Sequence, residues 1–302
     1  MLKKIVASAL LVCGVSAVAE LKVTTTIYPL YSIVKEIGGK KVELNNLIPF
    51  GVEAHGFDPT PNDMVKLSKS DIFIVSSDAM EPWKDKIIHS LKIEDKVFDM
   101  SKYVKLREAE EEETHGHEHS KGDHKGENID PHYWVSLNNY IIMTNTISKL
   151  IIEKDPQNKE YYEKNRENFL EKVNSLKLKY DISMQTCANK KILVNHDAFG
   201  YFADDYSVKQ YSISGMTPES KPSAKQIAEL IKIAKKEGIN TVFFEEFASP
   251  KVAQTIAQEA HVKIDSLRPA ENISAQENEQ GIGYLHIMEE NLNKLKFAMG
   301  CK

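Results

Sequence analysis

Apolar residues along this chain come in two patterns: short dense runs, and longer stretches where they recur every three or four positions, with Gly and Pro at the joints. The runs "LKVTTTIYPL", "VELNNLIP" and "DIFIVSS" read as strands, and "YSIVKEIGG" and "MVKLSKS" read as helices between them. In this reading the first strand turns at Pro29, and Gly38 and Gly39 stop the first helix. Further on, "DPHYWVSLNNYIIMTNTISKLIIEKDP" is a turn feeding an amphipathic helix. From Pro156 to Cys187 there is no internal Pro or Gly, and Tyr162, Phe169, Val173, Leu176 and Tyr180 fall at helical spacing. A helix of about thirty residues there would be about 45 Å long at about 1.5 Å per residue.

After that stretch the alternation restarts with "KKILVNHDAFGYFADDY" and "SVKQYSIS", then a helix "KPSAKQIAELIKIAKKEG", a strand "NTVFFEEF" and a helix "SPKVAQTIAQEAHV". A strand "KIDSL" and a closing helix to Lys302 complete it. Strands alternating with helices imply parallel sheets covered on both faces. The predicted fold is therefore α/β, with two Rossmann-like (β/α) domains, residues 20–155 and 188–302, joined by one long helix over 156–187.

Composition alters this picture at two places. The opening "MLKKIVASALLVCGVSAVAE" has a basic start, an apolar run and an A-x-A cleavage site, so residues 1–19 read as an export signal and the mature chain begins near Glu20. No stretch approaches the roughly 20 apolar residues of a spanning helix, and Val12 is a poor neighbour for a lipid-modified Cys13. The expectation is an exported protein with no direct membrane insertion and no lipid anchor. Removing Lys3 and Lys4 with the signal takes the net charge of −5 further negative, which disfavours nucleic acid as a partner. Cys187 and Cys301 remain as an even pair; they are either bridged, tying the end of the chain to its body, or two unpaired thiols.

The second place is 108–128, "EAEEEETHGHEHSKGDHKGEN", which holds four of the ten histidines and almost nothing apolar. Such a segment cannot supply a packed core and is expected to be a disordered surface insertion.

The remaining histidines separate by context. His55 in "GVEAHGFDPT", His132 in "DPHYWV" and His196 in "LVNHDAFGYF" lie on loops next to strands, where open α/β sheets gather their ligands. Asp265 in "KIDSLRPAE" ends a later strand and would reach the same edge. Three imidazoles and a carboxylate make a tetrahedral set for zinc. His89, His261 and His286 sit in helical contexts among charged neighbours and are read as solvated.

The segments "GVEAHGFDPTPNDM", "DPHYWVSLNN", "NHDAFGYFADDY", "SGMTPESKPSAKQI" and "VFFEEFASPKVAQTIAQEAHVKI" occur in the order and surroundings seen in the metal-binding solute receptors of bacterial ABC importers. Within that group (cluster A-I) the chain resembles the zinc receptors of the ZnuA type. The resemblance implies a rigid linking helix and a metal in the cleft between the domains, with His55, His132 and His196 as ligands. It matches Asp265 to an acidic position that some relatives use as a fourth ligand. Glu53 lies near another such position, but Ala54 separates it from His55, so the fourth ligand stays open between Asp265, Glu53 and water.

The resemblance further implies a periplasmic, monomeric receptor that delivers Zn2+, as transported substrate, to the membrane permease of an ABC importer. His115, His117, His119 and His124 would be weak auxiliary ligands that collect or sense zinc. A manganese receptor of the same fold is the alternative, opposed by His196 where manganese receptors place a glutamate. An enzyme is not expected: no H-E-x-x-H helix, G-x-S-x-G elbow or phosphate-cradling glycine loop is present. A zinc hydrolase would need three histidines with an open fourth position.

Overall fold

A computed structural model describes residues 20–109, 129–218 and 221–302. The first sheet contains β1 (Leu21–Thr25), β2 (Val42–Asn46), β3 (Ile72–Val75) and β4 (Val97–Asp99), with α1 (Tyr28–Gly38), α2 (Pro61–Ser68) and α3 (Lys84–Leu91) between them. Its strand order is β2-β1-β3-β4, all parallel. Two long helices follow, α4 (Leu137–Lys154) and α5 (Lys159–Gln185). The second sheet repeats the winding with β5 (Lys191–Val194), β6 (Lys209–Ser212), β7 (Thr241–Phe244) and β8 (Lys263–Ser266), ordered β6-β5-β7-β8 and again parallel. Its helices are α6 (Gly200–Tyr206), α7 (Ala224–Lys236) and α8 (Lys251–Ala260), and the chain closes with α9 (Ala275–Glu279) and α10 (Tyr284–Met299). The fold is thus two parallel-sheet α/β domains.

Local chemistry sets the helix starts. Thr60 and Asp63 form a reciprocal capping box on α2, Ser223 and Gln226 do the same on α7, and the Ser136 hydroxyl caps α4. Pro29 is in the first turn of α1 and does not form the expected turn. The first turn of a helix needs no donor from that position, so the ring is tolerated there. The α3–β4 unit was not visible in the apolar pattern, since its helix is short and its strand has three residues. A 3-10 turn at Pro156–Asn158 precedes α5, whose 27 residues make a rod about 40 Å long. Cys187, just past α5, is bridged to Cys301 at the end of the chain.

Strand alternation sorts the core into three layers. Val23, Ile72 and Ile74 of the first sheet and Ile192, Val194 and Phe243 of the second face inward, into one continuous core filled by α1, α4, α5 and α10. Phe73 and Val75 face outward onto α2 and α3, and Leu193 and Val242 onto α7 and α8. A shared core of this kind resists wide hinging of one domain on the other. Each sheet reverses its winding between its two central strands, where α/β proteins place ligands. In the first sheet that crevice is filled by buried Glu81, which accepts from the Thr26 hydroxyl and the Ser76 and Ser77 amides; burial pushes its carboxyl up to about 7. In the second, His196 follows β5 and Glu245 follows β7.

Candidate metal centre

Four side chains from separate loops meet between the sheets. His55 lies on the loop after β2, where the Glu53 carboxylate accepts the amides of both His55 and Gly56 and holds the turn. His132 is placed by Asp130, whose Oδ1 accepts from the ring Nδ1 at 2.8 Å and from the His132 amide at 2.9 Å. His196 is placed by Glu245, which accepts from its ring Nδ1 at 2.5 Å. Glu271 arrives on the segment after β8, past a left-handed residue, Ala270 (φ 62°).

With Nδ1 of His132 and His196 each committed to a carboxylate, their Nε2 lone pairs face the centre. His132 Nε2 lies 3.2 Å from the Nε2 atoms of both His55 and His196. Glu271 Oε1 lies 3.4, 3.1 and 3.4 Å from the Nε2 atoms of His55, His132 and His196. All four ligand atoms fall within 4.8 Å of one another. Zinc at about 2.0–2.1 Å from four tetrahedral ligands separates them by about 3.3–3.4 Å, and five of the six edges here match that figure closely.

The charges support one another. Burial works against a charge on His132, but Asp130 and Glu271 outweigh it and raise the imidazole to about 8. Burial opposes His196 likewise, and Glu245 and Glu271 carry it well above its ordinary value. Burial would raise Glu271, yet the facing His55, His132 and His196 hold it well below the usual carboxylate range. Asp130 is also lowered: burial is offset by His132 and by Arg107, whose Nη1 lies 3.0 Å from Asp130 Oδ2.

The structure brings His55, His132 and His196 together, and it leaves out Asp265. That residue lies inside β8, in register with Phe243, with its side chain 46% exposed and facing Lys294 on α10. A strand residue on the α10 side cannot turn into the cleft, whereas Glu271, six positions later and beyond the strand end, can. Glu53 is likewise absent from the cluster, because its oxygens are used on backbone amides. Glu271, Asp130, Glu245 and Arg107 were not found from the sequence; the usable signal for Glu271 was that an acid past a strand's carboxyl end suits the cleft better than one within the strand. His89 and His286 are exposed beside Glu94 and Glu290, and His261 caps α8. His115, His117, His119 and His124 lie outside the described residues.

Two parallel-sheet domains facing each other across three imidazoles and one carboxylate define a two-domain α/β protein with a cage of metal-ligand type between its halves. The chain belongs to the family described as zinc-uptake complex component A, periplasmic, whose model matches residues 23–298. It is 37% identical over 281 residues to the high-affinity zinc uptake system protein ZnuA of Bacillus subtilis, covering 93% of this chain and 88% of that protein. It is 34% identical over 278 residues to the zinc-binding lipoprotein AdcA of Streptococcus pneumoniae; the match takes in 92% of this chain but only 55% of AdcA. Among solved structures, the Zn(II)-bound ZnuA-like domain of that AdcA superposes with a TM-score of 0.78 at 32% identity, over 93% of this chain and 99% of that one. One expectation is withdrawn on this ground: the absence of a lipid anchor finds no support when a relative of this similarity is named a lipoprotein. No helix among the described residues is long and apolar enough to cross a membrane.

Proposed function

We propose that this protein captures zinc outside the cytoplasmic membrane, in the cage of His55, His132, His196 and Glu271, and hands it as cargo to the permease of an ABC importer. The observation that carries this reading is the match between the cage edges of 3.1 to 3.4 Å and the tetrahedron zinc requires. Three nitrogen donors to one oxygen favour zinc over manganese, which prefers a carboxylate-rich set. Glu271 in the fourth position also argues for a receptor and against a hydrolase, since a metal-activated water needs that position open. The molecule acts as a monomer in this reading, exported on residues 1–19, with the histidines of 108–128 as weak auxiliary ligands. Its domains are taken as 20–155 and 188–302 about the helix at 156–187.

The test is elemental analysis of untagged protein followed by chelator competition. The expected result is one tightly held zinc per chain and manganese binding weaker by several orders of magnitude. A tight manganese site, or none for either ion, overturns the proposal.

A further inference from the structure

Each of the four cage residues is tied across the domain boundary to a cage residue from the other half of the chain, and the ties use side chains that touch no ligand position. On one side of the cage, the Asn272 amide donates to the carbonyls of Pro49 and Val52, at 2.8 and 2.7 Å, on the loop that carries His55. The Gly51 amide donates to the Ile273 carbonyl and the Tyr28 amide to the Glu271 carbonyl. Glu271 is thereby bound to the first domain's His55 loop, although it belongs to the second half of the chain.

On the other side, Arg107 forks between two carboxylates. Its Nη1 meets Asp130, which holds His132, and its Nε meets Asp204 at 3.1 Å on α6, the helix that follows His196. The Tyr201 hydroxyl of α6 donates to the Asp130 carbonyl and accepts the Arg107 amide, and Ser136 and Asn138 donate to Asp205. Gly200, at the start of α6, leaves the space: a Cβ there would lie 1.7 Å from Arg107 Nη1 and 2.8 Å from Asp130 Oδ2.

We infer that Asn272 and Arg107 are positioning residues, one stapling His55 to Glu271 and the other His132 to His196, and that together they set how slowly the cage gives up its ion. The inference rests on the zinc reading proposed above. The two staples lie on separate pairs of elements but act on one cage, whose ligand atoms all lie within 4.8 Å of one another, so the double variant should release zinc faster than either single one without the two effects having to multiply. Arg107 acts through the geometry of its fork, which a lysine's single point charge does not reproduce.

The experiment measures zinc dissociation from the full chain into excess chromogenic chelator, with the visible spectrum of the Co2+-loaded protein as a second readout. Losing a direct partner of a metal ligand typically costs about 10–100-fold in affinity; Asn272 and Arg107 act one step further out, so Asn272→Ala and Arg107→Met should each release zinc up to about tenfold faster and the double variant faster than either. Arg107→Lys should stay close to Arg107→Met, and Gly200→Ala should match it with the arginine still present. Both staple variants should alter the Co2+ absorption bands. Leu230→Ala, in the outer core of the second domain, supplies a loss of thermal stability with release and Co2+ spectrum unchanged. If Asn272→Ala and Arg107→Met bind one zinc and release it at the wild-type rate, or differ from it no more than Leu230→Ala does, the inference is wrong. Absence of tight zinc in the wild-type chain would instead overturn the proposed function.

Discussion

Asp130 grips His132 at two points with one oxygen, taking the ring Nδ1 at 2.8 Å and the backbone amide at 2.9 Å. This double contact fixes both the ring's orientation and its tautomer, which is how an outer carboxylate strengthens an imidazole ligand. Asp130→Asn keeps the shape and removes the charge. Zinc affinity should fall by about 10–100-fold, read by competition with a chelator of known affinity. An unchanged affinity would mean that the hydrogen bonds to Oδ1, which asparagine keeps, suffice and that the carboxylate charge adds nothing to the His132 ligand.

Glu271 and Asp265 give opposite expectations, although both are acids on the same stretch of chain. Glu271→Gln should weaken zinc binding by at least about 100-fold, more than the loss of an outer partner. Asp265→Asn, which alters an exposed side chain near Lys294, should leave affinity within about twofold and stability within about 0.5 kcal/mol. Equal losses in the two variants would show that the fourth ligand has been misassigned.

Acid should compete with metal from a higher pH than unperturbed histidines would suggest. His132 is raised to about 8 and His196 well above its ordinary value, against about 6.5 for a free imidazole. In the metal-free protein, a raised folded pKa means the protonated cage contributes stability that is fully present below about pH 6.5 and lost as pH rises through about 8. Zinc must displace those protons, so affinity should climb across the same interval. Titration calorimetry at pH 7 in buffers of different ionisation enthalpy should record at least one proton released per zinc. Zinc uptake with no proton release at pH 7 would contradict protonated His132 and His196.

The auxiliary histidines allow a separation by stoichiometry. A His-rich tract marked by composition alone is expected to bind zinc more weakly than a cage whose ligands the fold presets. Replacing His115, His117, His119 and His124 with Ser should therefore abolish weak binding and leave one tight zinc. Equilibrium dialysis over a range of free zinc would show this, and loss of the tight site would place it in the insertion.

The sequence determined most of the elements, α3 and β4 excepted, and pointed to nitrogen donors. The dense apolar run at β3 and the helical spacing of Tyr162, Phe169, Val173, Leu176 and Tyr180 are local patterns, and local burial demands produce them directly. Of the histidines at 55, 132 and 196, only His196 sits beside a strand end, just past β5, where sequence order alone can place it; His55 lies on the long loop between β2 and α2, and His132 precedes the turn Tyr133–Val135 that leads into α4, so the surrounding motifs rather than a strand end marked these two. The fourth carboxylate was not legible. Choosing Glu271 over Asp265 depends on which way a side chain leaves β8 and on the Ala270 turn beyond it, and neither leaves a periodic trace. Asp130 lies only two positions from His132, but Glu245 could be assigned to His196, and Arg107 and Asn272 to their partners, only once segments up to 223 positions apart had been brought within hydrogen-bonding distance. Spacing in sequence carries little information about such contacts, because the packing of two sheets on one shared core decides them.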